Sequence, residues 1–167
     1  SKKYSSDYYE LIQDTGIDSI STGYFWYKNL KRKKLFNVIP IVINSNIIQK
    51  KWIKENDIEC DIKNISSAEI FEIQLKKHKP EIIFFNNFNS FEKRELIKLK
   101  NENEFLKLLI TWEGIAVCDP NKFDVYDIIL SPLHYLTKFY NENGIKTYYM
   151  PLAFDKEVLN TIDEKNQ

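Results

Sequence analysis

The stretch YDIILSPLHYLTKFYNENGIKTYYMPLA, residues 126–153, contains the pattern that decides the fold. It opens with a short apolar run, continues with apolar residues at helical spacing, and closes with a second β-branched and aromatic run. Ser131 followed by Pro132 predicts a capped helix start, and Gly144 suits a left-handed helix end. The apolar helical face consists of Leu133, Leu136, Phe139 and Tyr140. A strand, a helix and a second strand in this order predict a βαβ unit with parallel strands.

Further apolar runs predict additional strands of the same sheet. They lie at 36–44, 81–87 and 106–112, beside the strands at 126–131 and 146–153. Several of these runs are apolar at consecutive positions, as strands buried on both faces require. We therefore predict the α/β class, with a three-layer Rossmann-like domain and a mainly parallel sheet.

The predicted helices carry their own start and stop signals. One helix is predicted at 4–16, with Gly16 as its stop, and another at 23–35. Ser66 and Glu69 have capping-box spacing and predict a helix that ends before the next proline. The inward face of the first helix is predicted to contain Tyr8, Leu11 and Ile12.

The order of elements also predicts the domain organisation. Residues 1–154 are expected to form the Rossmann-like domain, and the polar residues 155–167 are expected to begin an interdomain connection. A doubly wound sheet normally opens with a strand, whereas this chain opens with a helical pattern. We therefore expect a first strand upstream of Ser1; the alternative is a fold that begins with a helical hairpin.

The composition disfavours several classes of partner. The 24 basic and 24 acidic residues give a formal net charge of zero, and only two of the cations are arginines, so nucleic acid is not an expected partner. Cys60 and Cys118 are isolated, which suggests neither a zinc knuckle nor a disulfide framework and fits a reducing cytoplasm. No apolar run approaches the roughly 18 residues that span a bilayer, so no integral membrane segment is expected.

Ligands of open parallel α/β sheets bind beyond the carboxyl ends of the strands, which directs attention to the loops there. The candidate substrate-binding residues in these loops are Asn86, Asn87, Trp112, Gly114, Ser131 and His134. Glu113 is the candidate catalytic residue, a general base that would deprotonate an acceptor hydroxyl. Each has a plainer alternative: the asparagines form a turn, the glutamate is a solvated loop carboxylate, and the histidine is an exposed first-turn residue.

Aromatic residues crowd the first two predicted helices and admit two interpretations. They form either a stacking surface for a sugar acceptor or part of the core, as aromatic residues at helical spacing usually do. These residues are Tyr8, Tyr9, Tyr24, Phe25, Trp26 and Tyr27.

Several signatures of other classes are missing from the sequence. It contains no GxGxxG, GxxxxGK[ST], GxSxG, HExxH or DxD motif. This disfavours dinucleotide-dependent dehydrogenases, P-loop NTPases and α/β-hydrolases. We therefore expect no cofactor and no metal site.

The order of motifs resembles the N-terminal domain of bacterial CgeB-like (spore-maturation type) glycosyltransferases. The resemblance covers nearly the whole chain and is clearest in the closing MPLAFDKEVL segment, where such GT-B enzymes pass to their second domain. The segments that carry it are KYSSDYYELIQD (3–14), GYFWYKNLKRKKL (23–35), IIQKKWIKEN (47–56), QLKKHKPEIIFFNN (74–87) and FDVYDIILSPLHYLTKFYNENGIKTYYMPLAFDKEVL (123–159).

The resemblance implies that the chain is the acceptor-side half of a glycosyltransferase that uses a nucleotide-sugar donor. A C-terminal domain outside this chain would bind most of the donor, so the isolated chain is expected to be inactive. Asp155 matches an aspartate of the family motif and is alternatively a helix N-cap. The family has Asp or Gly at some loop positions where this chain has Trp112 and Glu113, so the choice of Glu113 as base rests on its place after a strand.

The rival interpretation is a non-catalytic binding or scaffold module with a flavodoxin-like or receiver-like fold. A receiver domain needs a phospho-accepting aspartate and an acidic cluster at strand ends. The strand at 81–87 ends in two asparagines instead, which counts against that class.

Overall fold

The computed structural model describes residues 7–18 and 22–153. The chain divides into two compact units, and in the described residues the first ends at Lys77 and the second runs from His78 to Ala153. The predicted connection at 155–167, including Asp155, lies outside the described residues. The single Rossmann-like domain over 1–154 stays a prediction.

The first unit is helical. Its helices are α1 (Tyr8–Asp18), α2 (Thr22–Lys33), α3 (Asn46–Glu55) and α4 (Ser67–His78), whose last residue opens the second unit. The predicted capping box is present at α4, where the Ser66 N–H donates to Glu69 Oε2 at 2.8 Å and the Glu69 N–H donates to Ser66 Oγ at 3.2 Å. The prediction that Gly16 stops α1 is wrong, because a glycine weakens a helix by only about 1 kcal/mol and the helix continues to Asp18.

The core of the first unit is rich in aromatic side chains. Tyr8 is 2% exposed, and its hydroxyl donates to the carbonyl oxygen of Pro40 at 3.2 Å. The inward positions predicted for the first helix are confirmed. The buried cluster contains Tyr8, Leu11, Ile12, Tyr24, Ile48, Trp52, Ile53 and Ile70.

The predicted strand at 36–44 is absent. The segment forms no ladder, and the first unit has no strand among its described residues with which it could pair. Pro40 within it also lacks an N–H donor. Its apolar residues from Val38 to Ile43 are instead half-buried, and Val42 packs against the core cluster of the helices. A run that resembles a buried strand is therefore an irregular segment.

The second unit contains a four-stranded sheet in the order β1-β2-β3-β4, and every neighbouring pair is parallel. Its elements are β1 (Ile82–Phe85), α5 (Lys93–Glu102), β2 (Leu108–Trp112), β3 (Ile128–Ser131), α6 (His134–Glu142) and β4 (Thr147–Tyr149). The four strands predicted after residue 80 are therefore confirmed. So is the fold class: an α/β protein with a parallel sheet flanked by helices, consistent with a three-layer Rossmann-like fold.

Two helices of this unit differ from expectation. Helix α5 is not predicted from the sequence; at its start the Glu92 N–H donates to Glu95 Oε2 at 2.7 Å. Helix α6 begins at His134 with Leu133 as its N-cap, so the start predicted at Pro132 is wrong by two residues. The physical reason is that Ser131 still belongs to β3.

The end of α6 agrees with expectation. Gly144 has φ of +79°, the left-handed conformation that ends the helix. The Ile145 N–H then donates to the Tyr140 carbonyl at 2.9 Å, and Ile145 is buried. This exit leads the chain directly into β4.

Candidate functional site

The carboxyl ends of the four strands lie along one edge of the sheet. The register pairs Phe85 with Thr111 and Ser131 with Tyr149, so neighbouring strands end at nearly the same level. In a parallel sheet this is the edge beyond which ligands bind. The predicted site residues all lie at or just after these strand ends, and we call this edge the carboxyl edge.

Asn87 has a defined structural function after β1. Its side-chain oxygen accepts from the Asn89 N–H at 2.9 Å, and its carbonyl accepts from the Ser90 hydroxyl at 2.8 Å. These bonds cap a short 3-10 turn at Phe88–Ser90. The turn interpretation is therefore confirmed for Asn87, while its neighbour Asn86 is also exposed on the carboxyl edge.

Gly114 accommodates the indole ring of Trp112. A Cβ atom at this position would lie 2.5 Å from two indole carbons and 2.9 Å from Pro132 Cγ. The prediction from the sequence was that the absence of a side chain at this glycine lets a ligand approach. The structure fills that space with Trp112, so one part of the indole surface is already covered by the chain itself.

Glu113 is buried at the end of β2, with only 1% of its surface exposed. Its Oε1 atom accepts from the Ile115 N–H at 2.7 Å and from the Ala116 N–H at 3.3 Å. Its Oε2 atom is also buried and has no hydrogen-bond partner. The alternative of a solvated loop carboxylate is therefore wrong, and the carboxylate anchors the loop that follows it.

Tyr140, on α6, also forms a hydrogen bond with the loop after β2. The Cys118 N–H donates to the Tyr140 hydroxyl at 3.2 Å. Burial raises the pKa of Tyr140 to about 12, and the negative charge of Glu113 adds to that rise. Two side chains, one on β2's end and one on α6, thus fix the first residues of the connection to β3.

Ser131 is buried and is occupied by local bonds. It has no exposed surface, and its hydroxyl oxygen accepts from the Leu133 N–H at 3.3 Å. Its carbonyl accepts from the Met150 N–H at 2.7 Å, which joins the ends of β3 and β4. In this arrangement the hydrogen bonds of Ser131 fix the backbone at the carboxyl edge, and the side chain is not available to a ligand.

His134 is exposed and stacks on Tyr149, the last residue of β4. The ring centroids are 3.7 Å apart and the ring planes differ by 15°. Tyr149 is not among the candidates predicted from the sequence, although its position as the last aromatic residue of a predicted strand is a signal that could have found it. The pair forms an exposed aromatic platform on the carboxyl edge.

The described residues show no site for a metal ion. Across 7–18 and 22–153, no group of three or more His, Cys, Asp or Glu side chains is arranged to hold one. In the same ranges, no helix has both the length and the apolar character needed to cross a membrane.

Comparison of the chain with protein-family models, curated proteins and solved structures finds no match.

Proposed function

We propose that this chain is the acceptor-side domain of a glycosyltransferase that moves a sugar from a nucleotide-sugar donor to a hydroxyl group. A C-terminal domain outside this chain would bind most of the donor. The observation that supports the proposal best is the exposed His134–Tyr149 platform on the carboxyl edge of a parallel sheet. This edge is where α/β folds bind their ligands.

The exposed residues of the carboxyl edge suit an uncharged, hydroxyl-rich acceptor. Flat aromatic faces contact the apolar side of a sugar ring, and amide groups both donate to and accept from hydroxyls. Asn86 supplies such an amide after β1, at the opposite side of the sheet from the platform. In this proposal the platform orients one ring of an extended acceptor, and the amide contacts a hydroxyl farther along it.

The base of the reaction would be Glu113, and its burial imposes a condition on that function. A general base must lie within hydrogen-bond reach of the proton that it removes. The loop beginning at Ile115 must therefore move away from the carboxylate when the acceptor binds. Opening and closing of loops at catalytic sites is common on the microsecond to millisecond scale.

The second candidate function is a non-catalytic binding or scaffold module, and the geometry of Glu113 favours it. A carboxylate that is 1% exposed and accepts two loop amides already has a structural function. In that case the carboxyl edge would bind its ligand without transferring a group.

The two functions are distinguished by an assay on the protein translated from its complete reading frame. Release of nucleoside diphosphate from a panel of nucleotide sugars is measured for the parent and for Glu113→Gln. Since the amide oxygen of glutamine can still accept the Ile115 N–H, the variant should fold. Turnover by the parent that falls at least about 100-fold in the variant supports a catalytic base.

Two results would count against parts of this proposal. Full turnover by Glu113→Gln would remove Glu113 from the catalytic residues and leave transfer itself intact. No turnover with any donor, combined with saturable sugar binding, would favour the binding module. Circular dichroism of both proteins controls for loss of structure.

A further inference from the structure

The charges of the chain are distributed unevenly along its length, although its net charge is zero. Residues 31–54 contain seven lysines and arginines and no aspartate or glutamate. Four of these cations are consecutive, at residues 31–34, and two large apolar residues, Leu35 and Phe36, follow them directly. We call residues 31–36 the basic–apolar segment.

The whole of the basic–apolar segment lies on the surface. Helix α2 ends at Lys33, and Lys34 then has φ of +54°, the left-handed conformation that ends the helical path. Leu35 and Phe36 follow this turn and are 75% and 55% exposed. Two large apolar side chains thus stand in solvent next to four exposed cations.

The position at the end of α2 explains only part of this arrangement. Cations in the last turn of a helix are stabilised by the partial negative charge of the helix end, which accounts for Lys31, Arg32 and Lys33. It does not account for Lys34, which lies beyond the last helical residue. Nor does it account for two exposed apolar side chains in succession.

The positive charges of the segment are not neutralised within the part of the chain that the structure describes. No ion pair in 7–18 and 22–153 involves Arg32, Lys33 or Lys34. Lys31 Nζ donates to the Tyr27 hydroxyl at 2.9 Å, and this neutral partner leaves the charge in place. A partner that neutralises these cations must therefore carry negative charge.

The apolar residues decide which kind of anionic partner fits best. Clusters of four or more lysines and arginines on a helix are typical of segments that bind anionic lipids. A nucleic acid would match the cations equally, but it offers bases on which an aromatic ring stacks and no apolar layer for an aliphatic side chain. Leu35 gains most where it leaves water for the boundary between lipid headgroups and acyl chains.

We propose that the basic–apolar segment binds to the surface of a membrane that contains anionic lipids. Its cations contact the headgroups, and Leu35 and Phe36 insert at the acyl boundary. The inference does not rest on the glycosyltransferase proposal, because none of its residues belongs to the candidate site.

The test is sedimentation of the 167-residue chain with vesicles of phosphatidylcholine, prepared with and without phosphatidylglycerol. We expect binding that requires phosphatidylglycerol and weakens as sodium chloride is added, because salt screens exposed charges. The triple variant Arg32→Gln, Lys33→Gln, Lys34→Gln should bind at least about tenfold more weakly, since each cation near an anionic surface contributes about fivefold. The double variant Leu35→Ser, Phe36→Ser should bind at least about fivefold more weakly.

Each variant has a matched control. Lys63→Gln, Lys76→Gln, Lys122→Gln makes the same change in net charge at three exposed positions outside the segment. Ile97→Ser, Leu152→Ser likewise replaces two exposed apolar residues. We expect each control to change vesicle binding less than about twofold, since long-range attraction between exposed charges is largely screened. Circular dichroism verifies that all four variants are folded.

Several results would overturn the proposal. Equal losses in the triple variant and its control would assign binding to net charge alone. Undiminished binding by Leu35→Ser, Phe36→Ser, or equal binding to vesicles without phosphatidylglycerol, would exclude the segment or its charge as the determinant. Binding of a single-stranded RNA that the triple variant loses, without any vesicle binding by the parent, would identify the partner as a nucleic acid.

Discussion

The centroids of the His134 imidazole and the Tyr149 ring lie 3.7 Å apart, and the two ring planes are nearly parallel. One residue opens α6 and the other closes β4, so the contact joins the start of the helix to the end of the second strand in the β3-α6-β4 unit. Both residues are exposed. The pair therefore offers a flat surface whose orientation is fixed by regular secondary structure.

Removing this surface should weaken sugar binding. We expect Tyr149→Ala to lower the affinity for methyl glycosides about two- to tenfold, because an aromatic contact contributes about 0.5–1.5 kcal/mol. Saturation-transfer NMR with a panel of glycosides measures this. The neighbouring Tyr148→Ala is the control, since successive residues of a strand point to opposite faces. An equal loss in both variants would contradict a specific platform.

Gly114→Ala should destabilise the protein by about 1–3 kcal/mol, because the added methyl group overlaps the Trp112 indole. Urea unfolding measures the effect. Trp112→Ala should remove part of this penalty, because the overlap with the indole disappears while Pro132 Cγ stays 2.9 Å from the added atom, so the two substitutions are coupled. Gly144→Ala is the control: it meets no neighbour but strains a left-handed residue, and it should not be coupled to Trp112. Additive effects of the Gly114 and Trp112 substitutions would contradict the contact.

Gln49→Met should raise the free energy of unfolding by about 1–3 kcal/mol, because it replaces a buried amide that lacks partners. Gln49 has no exposed surface, and both its Nε2 and Oε1 atoms are without hydrogen bonds. Denaturant titration measures the change. Gln13→Met makes the same chemical change at an exposed position and should have little effect. A loss of stability in Gln49→Met would contradict the prediction.

Stability should fall between about pH 10 and 12. Burial raises the pKa of both Tyr126 and Tyr140 from the usual 10 to about 12. Over this range the unfolded tyrosines lose their protons while the folded ones keep them, so unfolding becomes more favourable as pH rises. Below about pH 10 this contribution to stability is fully present. Urea titrations from pH 9 to 12 test the sign.

Tyr140→Phe measures how much Tyr140 alone contributes to the dependence of the free energy of unfolding on pH. Because phenylalanine has no proton to lose, the slope of stability against pH should become smaller. The variant should also be less stable at neutral pH, since the Cys118 N–H loses its acceptor. An unchanged slope would show that Tyr140 does not contribute to the alkaline loss.

The strands of the second unit were predictable because each lies in a short run of mostly apolar residues, which is the pattern of a buried strand. A run such as IIFF in β1 is apolar at every position and is bounded by polar residues. The run at 36–44 is also mostly apolar, although it contains Pro40, and yet it forms no strand, because strand formation requires a partner and the sequence does not show one. Helix α5 was missed since most of its residues are charged or polar and only Leu96 and Leu99 are buried.

The candidate site was predictable in position and less so in chemistry. The rule for parallel sheets selected the loops that the carboxyl edge contains. It could not indicate that Glu113 is buried, because that burial depends on how residues 115–118 fold back over the carboxylate. Nor could it indicate that the absence of a side chain at Gly114 makes room for the Trp112 indole. Contacts between a residue and its own loop are decided by three-dimensional packing.

The loop after β2 has one more consequence. The amide hydrogens of Ile115, Ala116 and Cys118 are bonded to the side chains of Glu113 and Tyr140, although none of the three belongs to a helix or strand. Their deuterium uptake should therefore be slower than that of an ordinary loop and should accelerate when either side chain is replaced. Isotope exchange at three peptide groups would thus report directly whether this loop is shut or open.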